Sequence, residues 1–456
     1  MTYKRLNIID LKNNYPEKFG RFVMALKNFE ESDDWYRICG IHGNTFKPND
    51  PYVLCPTDPD VVKQLAETGE TMYCKHSVYS FIAWHTPYLY QYELLLNKYN
   101  KSKNDDYITL PYIDLTDFSS DFTFMNEPKI EIIYDKRHIT IDNPLASAYY
   151  YPDGVKTKTF RQGFLSPSTP IERKQLDTIR KQLNNVLYAT TYEMFSSKPV
   201  SYVKKNEITS YVPLETPHNQ LHNIIGGVNG TMADVTIAAF DPIFWMHHCN
   251  MDRHFYTWLY NNTNKFKDSL SPDKMTDNTY EKSLAPFSTR YPFSTDSFSY
   301  DYGWKNNSLT FMSIKDMLNF KKYPYYYDII IPKPEEKIKS FIELIDIPIP
   351  NVSVVIYAYL HLKTEVLNKN LNFAGSASWF GLNRNDKSCE RCNITRTNIK
   401  IDISEYVYEN KITNDNIKNY NLVIEGEGRL LSKFNILNII NYIDLIRDGS
   451  FKIIIQ

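Results

Sequence analysis

The chain carries two clusters of three histidines, and they constrain its fold more than any other feature. The first cluster consists of His42, His76 and His85, and the second of His218, His222 and His248. Because the chain has ten histidines in all, more than half of them belong to these clusters. Neutral imidazole binds copper, iron, nickel and zinc without adding charge. Two such triads held against each other predict a pair of metal ions with few carboxylates, a pattern typical of copper and oxygen chemistry.

Length and composition predict a large two-domain protein without a nucleic-acid or membrane partner. The 456 residues exceed the usual size of a single core, and 42% of them are apolar. The net charge of −1, with no basic stripe, argues against nucleic acid, and no run of about twenty apolar residues is present. The N-terminus lacks an apolar signal segment and six cysteines make no disulfide framework, so we expect a cytoplasmic protein.

Apolar residues at helical spacing predict a mainly α-helical region before residue 330. Thr169 and Asp241 are each followed by proline, which favours a helix start at both places. The predicted helices cover residues 18–30, about 77–98, 170–195 and 242–260.

The pattern changes after residue 330, where a charged segment with two prolines precedes short β-prone runs. These runs are residues 351–362, 397–404, 420–426 and 451–456. We therefore predict a mainly α domain over 1–330, a linker over 331–345 and a C-terminal β-sandwich over 346–456.

The spacing of the second cluster fits a helical metal site. His218 and His222 are four residues apart, so a helix presents both on one face. Such a pair by itself is as often structural as metal-binding. His248 and Asp252 have the same spacing, and Asp252 can accept a hydrogen bond from an imidazole and orient it. His247 lies about 100° around the helix from His248, and we interpret it as a packing or outer residue and not as a ligand.

The first cluster requires more than one segment. His76 and His85 are separated by about 2.5 helical turns, so one regular helix cannot present both on one face. We expect His76 just before the helix and His85 within it. His42 is expected from a loop or a helix end.

The motifs around both clusters resemble the tyrosinase and molluscan haemocyanin superfamily, and fungal tyrosinases in particular. DPIFWMHHCNMD, ending at Asp252, is similar to the second copper signature of that family at every defined position, and 76–93 is similar to the first. Thr86 departs from the pattern, because the family usually has arginine there, which puts an outer ion pair in doubt. The resemblance covers about 18–330. It implies a four-helix bundle with two copper ions, one bound by each histidine cluster.

The resemblance also assigns roles to residues beside the ligands. Cys74 is similar to a family cysteine that forms a thioether with the second histidine of the first site, here His76; a buried free thiol is the alternative. Glu215 and Asn219 resemble a pair that holds a water able to deprotonate phenols. Without the resemblance, Glu215 is an ordinary loop carboxylate.

Three further features of the last third of the chain resemble fungal tyrosinases. Tyr323 and Tyr325 are similar to the tyrosine motif that closes the catalytic domain. The CxxC pair Cys389 and Cys392 is similar to one linked to copper loading, and a turn with two thiols stays open as an alternative. The C-terminal domain resembles one that covers the active site. Trp379 or Phe380 then fills the substrate pocket or belongs to the β core.

The resemblance implies an oxidoreductase that hydroxylates monophenols and oxidises the resulting o-diphenols to o-quinones with O₂. O₂ and small phenols are the expected partners, and the oligomeric state stays open. The presence of both Glu215 and Asn219 favours monophenol hydroxylation. A catechol oxidase, a haemocyanin-like oxygen carrier and a copper-storage protein are the alternatives.

Overall fold

The computed structural model describes the parts of the chain that carry both histidine clusters. These are residues 3–43, 73–74, 76–102, 107–197, 212–227, 229–262, 283–288, 311–319, 323–328, 340–348, 353–379, 396–428 and 451–454. Cys389, Cys392, Phe380 and residues 331–339 of the predicted linker lie outside the described residues.

The helices of the described residues are, in chain order, α1 (Ile8–Asn14), α2 (Pro16–Glu30), α3 (Asp33–Gly43), α4 (Phe81–Lys98), α5 (Pro170–Val186), α6 (Tyr192–Ser196), α7 (Glu215–Gly226), α8 (Pro242–Asn262), α9 (Ile314–Met317), α10 (Lys369–Asn372) and α11 (Ser404–Glu409).

The strands are β1 (Tyr3–Arg5), β2 (Lys129–Tyr134), β3 (Arg137–Asp142), β4 (Tyr149–Tyr150), β5 (Thr157–Lys158), β6 (Ser283–Ser288), β7 (Phe311–Ser313), β8 (Tyr325–Tyr327), β9 (Phe341–Pro348), β10 (Val354–Leu362), β11 (Phe373–Trp379), β12 (Arg396–Asp402), β13 (Tyr420–Gly428) and β14 (Phe451–Ile454). The predicted helices and β-prone runs are thereby confirmed in type.

Two helix boundaries differ from the prediction for local reasons. Helix α4 begins at Phe81 and not near residue 77, because Ser77 has a positive φ of 54° that a right-handed helix cannot include. The helix from Pro170 starts as predicted, with a capping box between Thr169 and Glu172. It ends at Val186, and α6 starts separately with its own cap at Thr191.

Contacts between residues divide the chain into two compact units. The first is Met1–Phe160 with Thr236–Pro332, and the second is Arg161–Val235 with Lys333–Gln456. In the first unit, α4 is buried on nearly all of its faces, as expected of a helix inside a bundle. Strand β1 pairs in parallel with β8, which places Arg5 beside Tyr327. The predicted domain limits remain a prediction.

The second unit combines helices α5 to α7 with the C-terminal strands. Strands β11, β10 and β13 form one three-stranded antiparallel sheet, and β12, β9 and β14 form another. Buried residues of both sheets, among them Ile342, Ile356 and Ile401, belong to one hydrophobic cluster. This arrangement agrees with the predicted β-sandwich, which nevertheless stays a prediction. Strand β9 begins at Phe341, inside the segment predicted as linker.

Among the described helices, none has the length and apolar character that a membrane crossing requires.

Candidate metal centre

The first histidine cluster forms a buried group of ligand atoms in the first unit. His42 lies in the last turn of α3, His76 precedes α4, and His85 lies within α4, so the predicted positions are confirmed. One ligand atom from each, together with Cys74, lies within 4.8 Å of the others. The three imidazoles are between 0% and 3% exposed. A compact, dry set of nitrogen donors is the form that a transition-metal site takes.

Hydrogen bonding identifies which ring nitrogen of His85 carries the proton. Its Nδ1 lies 2.7 Å from the carbonyl oxygen of Phe81, and a carbonyl can only accept, so Nδ1 carries the proton. When the ring is neutral, its Nε2 holds a lone pair, and this atom lies 3.4 Å from Nε2 of His42. Two nitrogen atoms at this distance, His85 Nε2 and His42 Nε2, can both bind one metal ion.

Cys74 lies against two histidines of the first cluster. Its Sγ is 3.1 Å from Nδ1 of His76 and 3.7 Å from Nε2 of His85, and the thiol is buried and free of disulfides. The contact brings the two residues of the predicted thioether together. The covalent link itself stays a prediction.

Two histidines of the second cluster, four residues apart, lie on a single helix of the second unit. His218 and His222 lie on α7, fully buried, with ring centroids 4.5 Å apart. Nδ1 of His222 donates to the carbonyl oxygen of Met232 at 2.8 Å, so Nε2 of the neutral ring carries no proton. Burial lowers the pKa of His222 to about 3, against a weaker opposite effect of the Met232 hydrogen bond, so the ring is neutral.

His248 lies on α8 in the first unit, where its ring stacks on His85 at a centroid distance of 4.3 Å. His247 is equally buried, and its ring centroid is 5.2 Å from that of His248 at an interplanar angle of 75°. That His248, and not His247, completes the second cluster stays a prediction.

The carboxylate of Asp252 accepts hydrogen bonds from groups that the sequence did not predict. Its Oδ1 accepts a hydrogen bond from Thr86 at 2.7 Å. Its Oδ2 accepts from Tyr325 at 2.8 Å, from Tyr327 at 2.5 Å and from Arg5 at 3.2 Å. None of these donors is an imidazole, and the hydrogen bond from an imidazole to Asp252 stays a prediction. Burial raises the pKa of Asp252, while Arg5 and the hydroxyls oppose the rise.

Arg5 is a member of the Asp252 network that the sequence reasoning missed. It is fully buried, and besides Asp252 on α8 it pairs with Glu93 on α4 at 2.9 Å. Its guanidinium also lies 3.5 Å from the ring centroid of Tyr325. Arg5 thus supplies an arginine beside Asp252, although the position after His85, where the family usually has arginine, is occupied by Thr86. A single arginine in a short N-terminal strand carries no sequence signal for this role.

The predicted tyrosine motif is a structural support in the first unit. Tyr325 bonds Asp252, and the Tyr323 hydroxyl donates to the carbonyl of Met317 at 2.6 Å. Tyr327, which the motif prediction did not include, also bonds Asp252.

Glu215 and Asn219 both lie on α7, one on each side of His218. Glu215 is the first residue of the helix, 5% exposed, and its carboxylate accepts a hydrogen bond from the hydroxyl of Ser197. Asn219 is half-buried, and its Oδ1 lies 2.9 Å from Nδ1 of His218. Asn219 therefore contacts the His218 ring directly, and the joint role of the pair toward a phenol stays a prediction.

The strand that contains Trp379 packs on the helix that carries His218 and His222. Gln220 Nε2 on α7 donates to the carbonyl of Ser376 at 2.9 Å, and Asn223 Nδ2 lies 3.5 Å from the carbonyl of Trp379. The C-terminal strands and the second histidine pair thus belong to one packed unit.

The comparisons with known proteins cover both histidine clusters. Residues 32–261 match the family model for the common central domain of tyrosinase. A tyrosinase of Neurospora crassa is 30% identical over 313 residues, which cover 58% of this chain and 44% of that protein. A tyrosinase of Podospora anserina is 28% identical over 334 residues, covering 62% and 54%.

A solved structure of latent and active mushroom tyrosinase shares the fold, with a TM-score of 0.68, 19% identity and coverage of 99% of this chain and 92% of that one. The chain spans about half the length of the curated relatives it matches.

Proposed function

The chain belongs to the tyrosinase family, and from that premise we propose that it hydroxylates monophenols at the ortho position and oxidises o-diphenols to o-quinones with O₂. The two histidine-rich sites fit the binuclear copper centre of the family. Copper, when bound, supplies electron transfer to O₂ and Lewis acidity toward the phenol. The observation that carries the proposal is the placement of Glu215 and Asn219 on the helix of His218 and His222.

The ligand residues contribute neutrality and fixed orientation. His85 and His222 each donate Nδ1–H to a backbone carbonyl, so each offers Nε2 without a proton to displace. Because six neutral imidazoles add no charge, the site tolerates a change in the metal oxidation state.

A phenol must lose its proton to react, and Glu215 is the proposed acceptor, through a water that Asn219 also holds. Ser197 fixes the Glu215 carboxylate, and the backbone of α7 fixes its distance to His218. A catechol oxidase needs this group less, since a diphenol is more acidic. An oxygen carrier or a copper-storage protein needs no such carboxylate.

Turnover of tyrosine against catechol tests the proposal, with the lag time recorded. Wild type should convert both, and Glu215→Gln should depress tyrosine hydroxylation several-fold more than catechol oxidation. Glu193→Gln, on the short helix α6, is the matched carboxylate control. Catechol turnover without tyrosine turnover would identify a catechol oxidase, and oxygen binding without either would identify a carrier. An equal loss on both substrates would make Glu215 structural.

Copper analysis tests the ligand set. Loaded protein should hold about two copper ions per chain, as two three-histidine sites require. His248→Ala should lose one copper, whereas His247→Ala should keep both, because only one of the adjacent histidines is a predicted ligand. An equal loss in the two variants would contradict the choice of His248.

The C-terminal strands are proposed to form a β-sandwich lid over the substrate site. Support comes from the contacts of α7 with the carbonyls of Ser376 and Trp379. Trp379, or Phe380, is the proposed aromatic that occupies the substrate position. Cleavage within 330–345 should raise phenol turnover several-fold at constant copper content. Full activity of the uncut chain would show that the strands do not guard the site.

A further inference from the structure

A run of aromatic side chains begins at the first histidine cluster in the first unit. The ring of Trp84 lies 5.0 Å from His85, and the ring of Tyr88 stacks on His42 at 6.2 Å, both between centroids. Trp84 and Tyr88 are fully buried on α4 and lie 4.8 Å apart. Two side chains that can be oxidised therefore lie directly beside the metal ligands.

The run continues through Trp245 and Tyr92. Tyr88 lies 4.7 Å from Trp245, and Trp245 stacks on Tyr92 at 3.8 Å with an interplanar angle of 15°. Trp245 is held in place by its Nε1, which donates to the carbonyl of Ala239 at 3.0 Å. Each step from Trp84 to Tyr92 is a direct ring contact, so these four π systems adjoin one another without aliphatic side chains between them.

The outer end of the run is a tyrosine with a proton acceptor. Phe29 lies 5.2 Å from both Tyr92 and Tyr99 and fills the space between them. Tyr99 is half-buried, and its hydroxyl donates to Oδ2 of Asp34 at 2.8 Å. A carboxylate that accepts the phenol proton makes loss of an electron from Tyr99 easier, since the proton moves at the same time.

We propose that Trp84, Tyr88, Trp245, Tyr92 and Tyr99 form an electron relay that protects the histidine cluster when O₂ reacts without a phenol substrate. The relay goes beyond the proposed function and rests on it only for the use of O₂. Packing alone requires large rings in this core. It does not require four oxidisable rings in direct contact from Trp84 to Tyr92, or a carboxylate on the hydroxyl of Tyr99, which lies beyond Phe29.

The relay chemistry is balanced by two external reactants. Tyr99 gives up one electron inward and its phenol proton to Asp34, and it becomes a neutral tyrosyl radical. An external one-electron reductant of the ascorbate class returns an electron to Tyr99 while Asp34 returns the proton, so both groups are restored after each passage. O₂ consumes four electrons from the relay and four protons from solvent in forming two waters, so four passages complete one reduction.

The test uses the copper-loaded full chain without phenol and hydrogen peroxide as the oxidant, so its outcome does not depend on phenol turnover. Peroxide consumes two electrons and two protons in forming two waters. Trp245→Phe keeps a ring but removes the easily oxidised indole. Trp258→Phe, on the same helix and equally buried, is the matched control, because its ring contact is with Phe255 outside the run. Tyr92→Phe removes only a hydroxyl and serves if Trp245→Phe does not fold.

Freeze-quenched wild type and Trp258→Phe should show a tyrosyl radical by electron paramagnetic resonance that Tyr99→Phe abolishes. In Trp245→Phe and Tyr92→Phe the radical yield should fall several-fold. Mass mapping should then find several-fold more oxidation of Trp84 and His85, with the starting copper content unchanged. Equal radical yield and equal damage in Trp245→Phe and Trp258→Phe would overturn the relay, as would a radical that survives Tyr99→Phe. Phenol turnover, assayed separately on the same copper-loaded sample, tests the proposed function and not the relay.

Discussion

Different kinds of interaction hold the two histidine clusters in place. In the first unit, three separate segments supply His42, His76 and His85, and a buried network around Arg5 ties the helices α4 and α8 together. In the second unit, one helix supplies His218 and His222, and nearby groups orient both rings. The first arrangement depends on long-range charge pairing, and the second depends on close backbone packing around α7. The two should therefore fail under different substitutions.

The largest effect is expected where Arg5 is removed. Arg5→Met leaves the buried carboxylates of Glu93 and Asp252 without their cation, which should cost about 3–5 kcal/mol of the free energy of unfolding. Chemical denaturation of copper-free protein measures this. Lys4→Met, on the same strand but exposed, should change little. Equal stability of Arg5→Met and Lys4→Met would show that the network does not hold the first cluster.

The matching change in the second unit is Gly163→Ala. The chain at 162–164 donates three backbone hydrogen bonds to the last carbonyls of α7. A Cβ on Gly163 would lie 1.6 Å from the carbonyl oxygen of Ile224. Overpacking of this kind should cost about 3 kcal/mol and reduce copper at the second cluster first. Gln162→Ala keeps the backbone contacts and should be nearly neutral. Retained stability and copper in Gly163→Ala would mean that α7 does not rely on this contact.

A third prediction concerns pH and a histidine outside both clusters. Burial, with help from Arg253, lowers the pKa of His254 to about 4, while the usual value for the unfolded chain is near 6.5. The unfolded state binds this proton first, so the contribution of His254 to stability is present above pH 6.5 and is lost as the pH falls toward 4. The full loss is about 3 kcal/mol. His254→Gln should flatten the unfolding free energy between these pH values, and an unchanged slope would contradict the assignment.

The smallest effect is expected at Thr86, which joins α4 to α8 by one hydroxyl. Thr86→Val keeps the shape but removes the donor to Asp252, at a cost of about 2 kcal/mol. Thr86→Ser should restore most of it. If Val and Ser behave alike in thermal unfolding, packing at Thr86 and not its hydrogen bond supports the first cluster.

Much of this site was predictable because the relevant signals are local. Four-residue spacing puts His218 and His222 on one face of α7, and the proline after Asp241 starts α8 ahead of His248. The nine-position separation correctly placed His76 outside the helix of His85. In contrast, the predicted helix end at Phe195 was wrong, because a cap at Thr191 starts a new helix, which apolar spacing does not reveal.

The sequence by itself determined the ligand chemistry, the helices that carry it and the β-rich character of the last third. These follow from residue type and from spacing along the chain. Only the tertiary structure showed that Arg5 pairs with Asp252, 247 positions away, and that residues 161–235 pack with the C-terminal strands. The reason is physical: a buried charge is stable only beside a partner of opposite charge, and the partner is chosen by how distant segments pack.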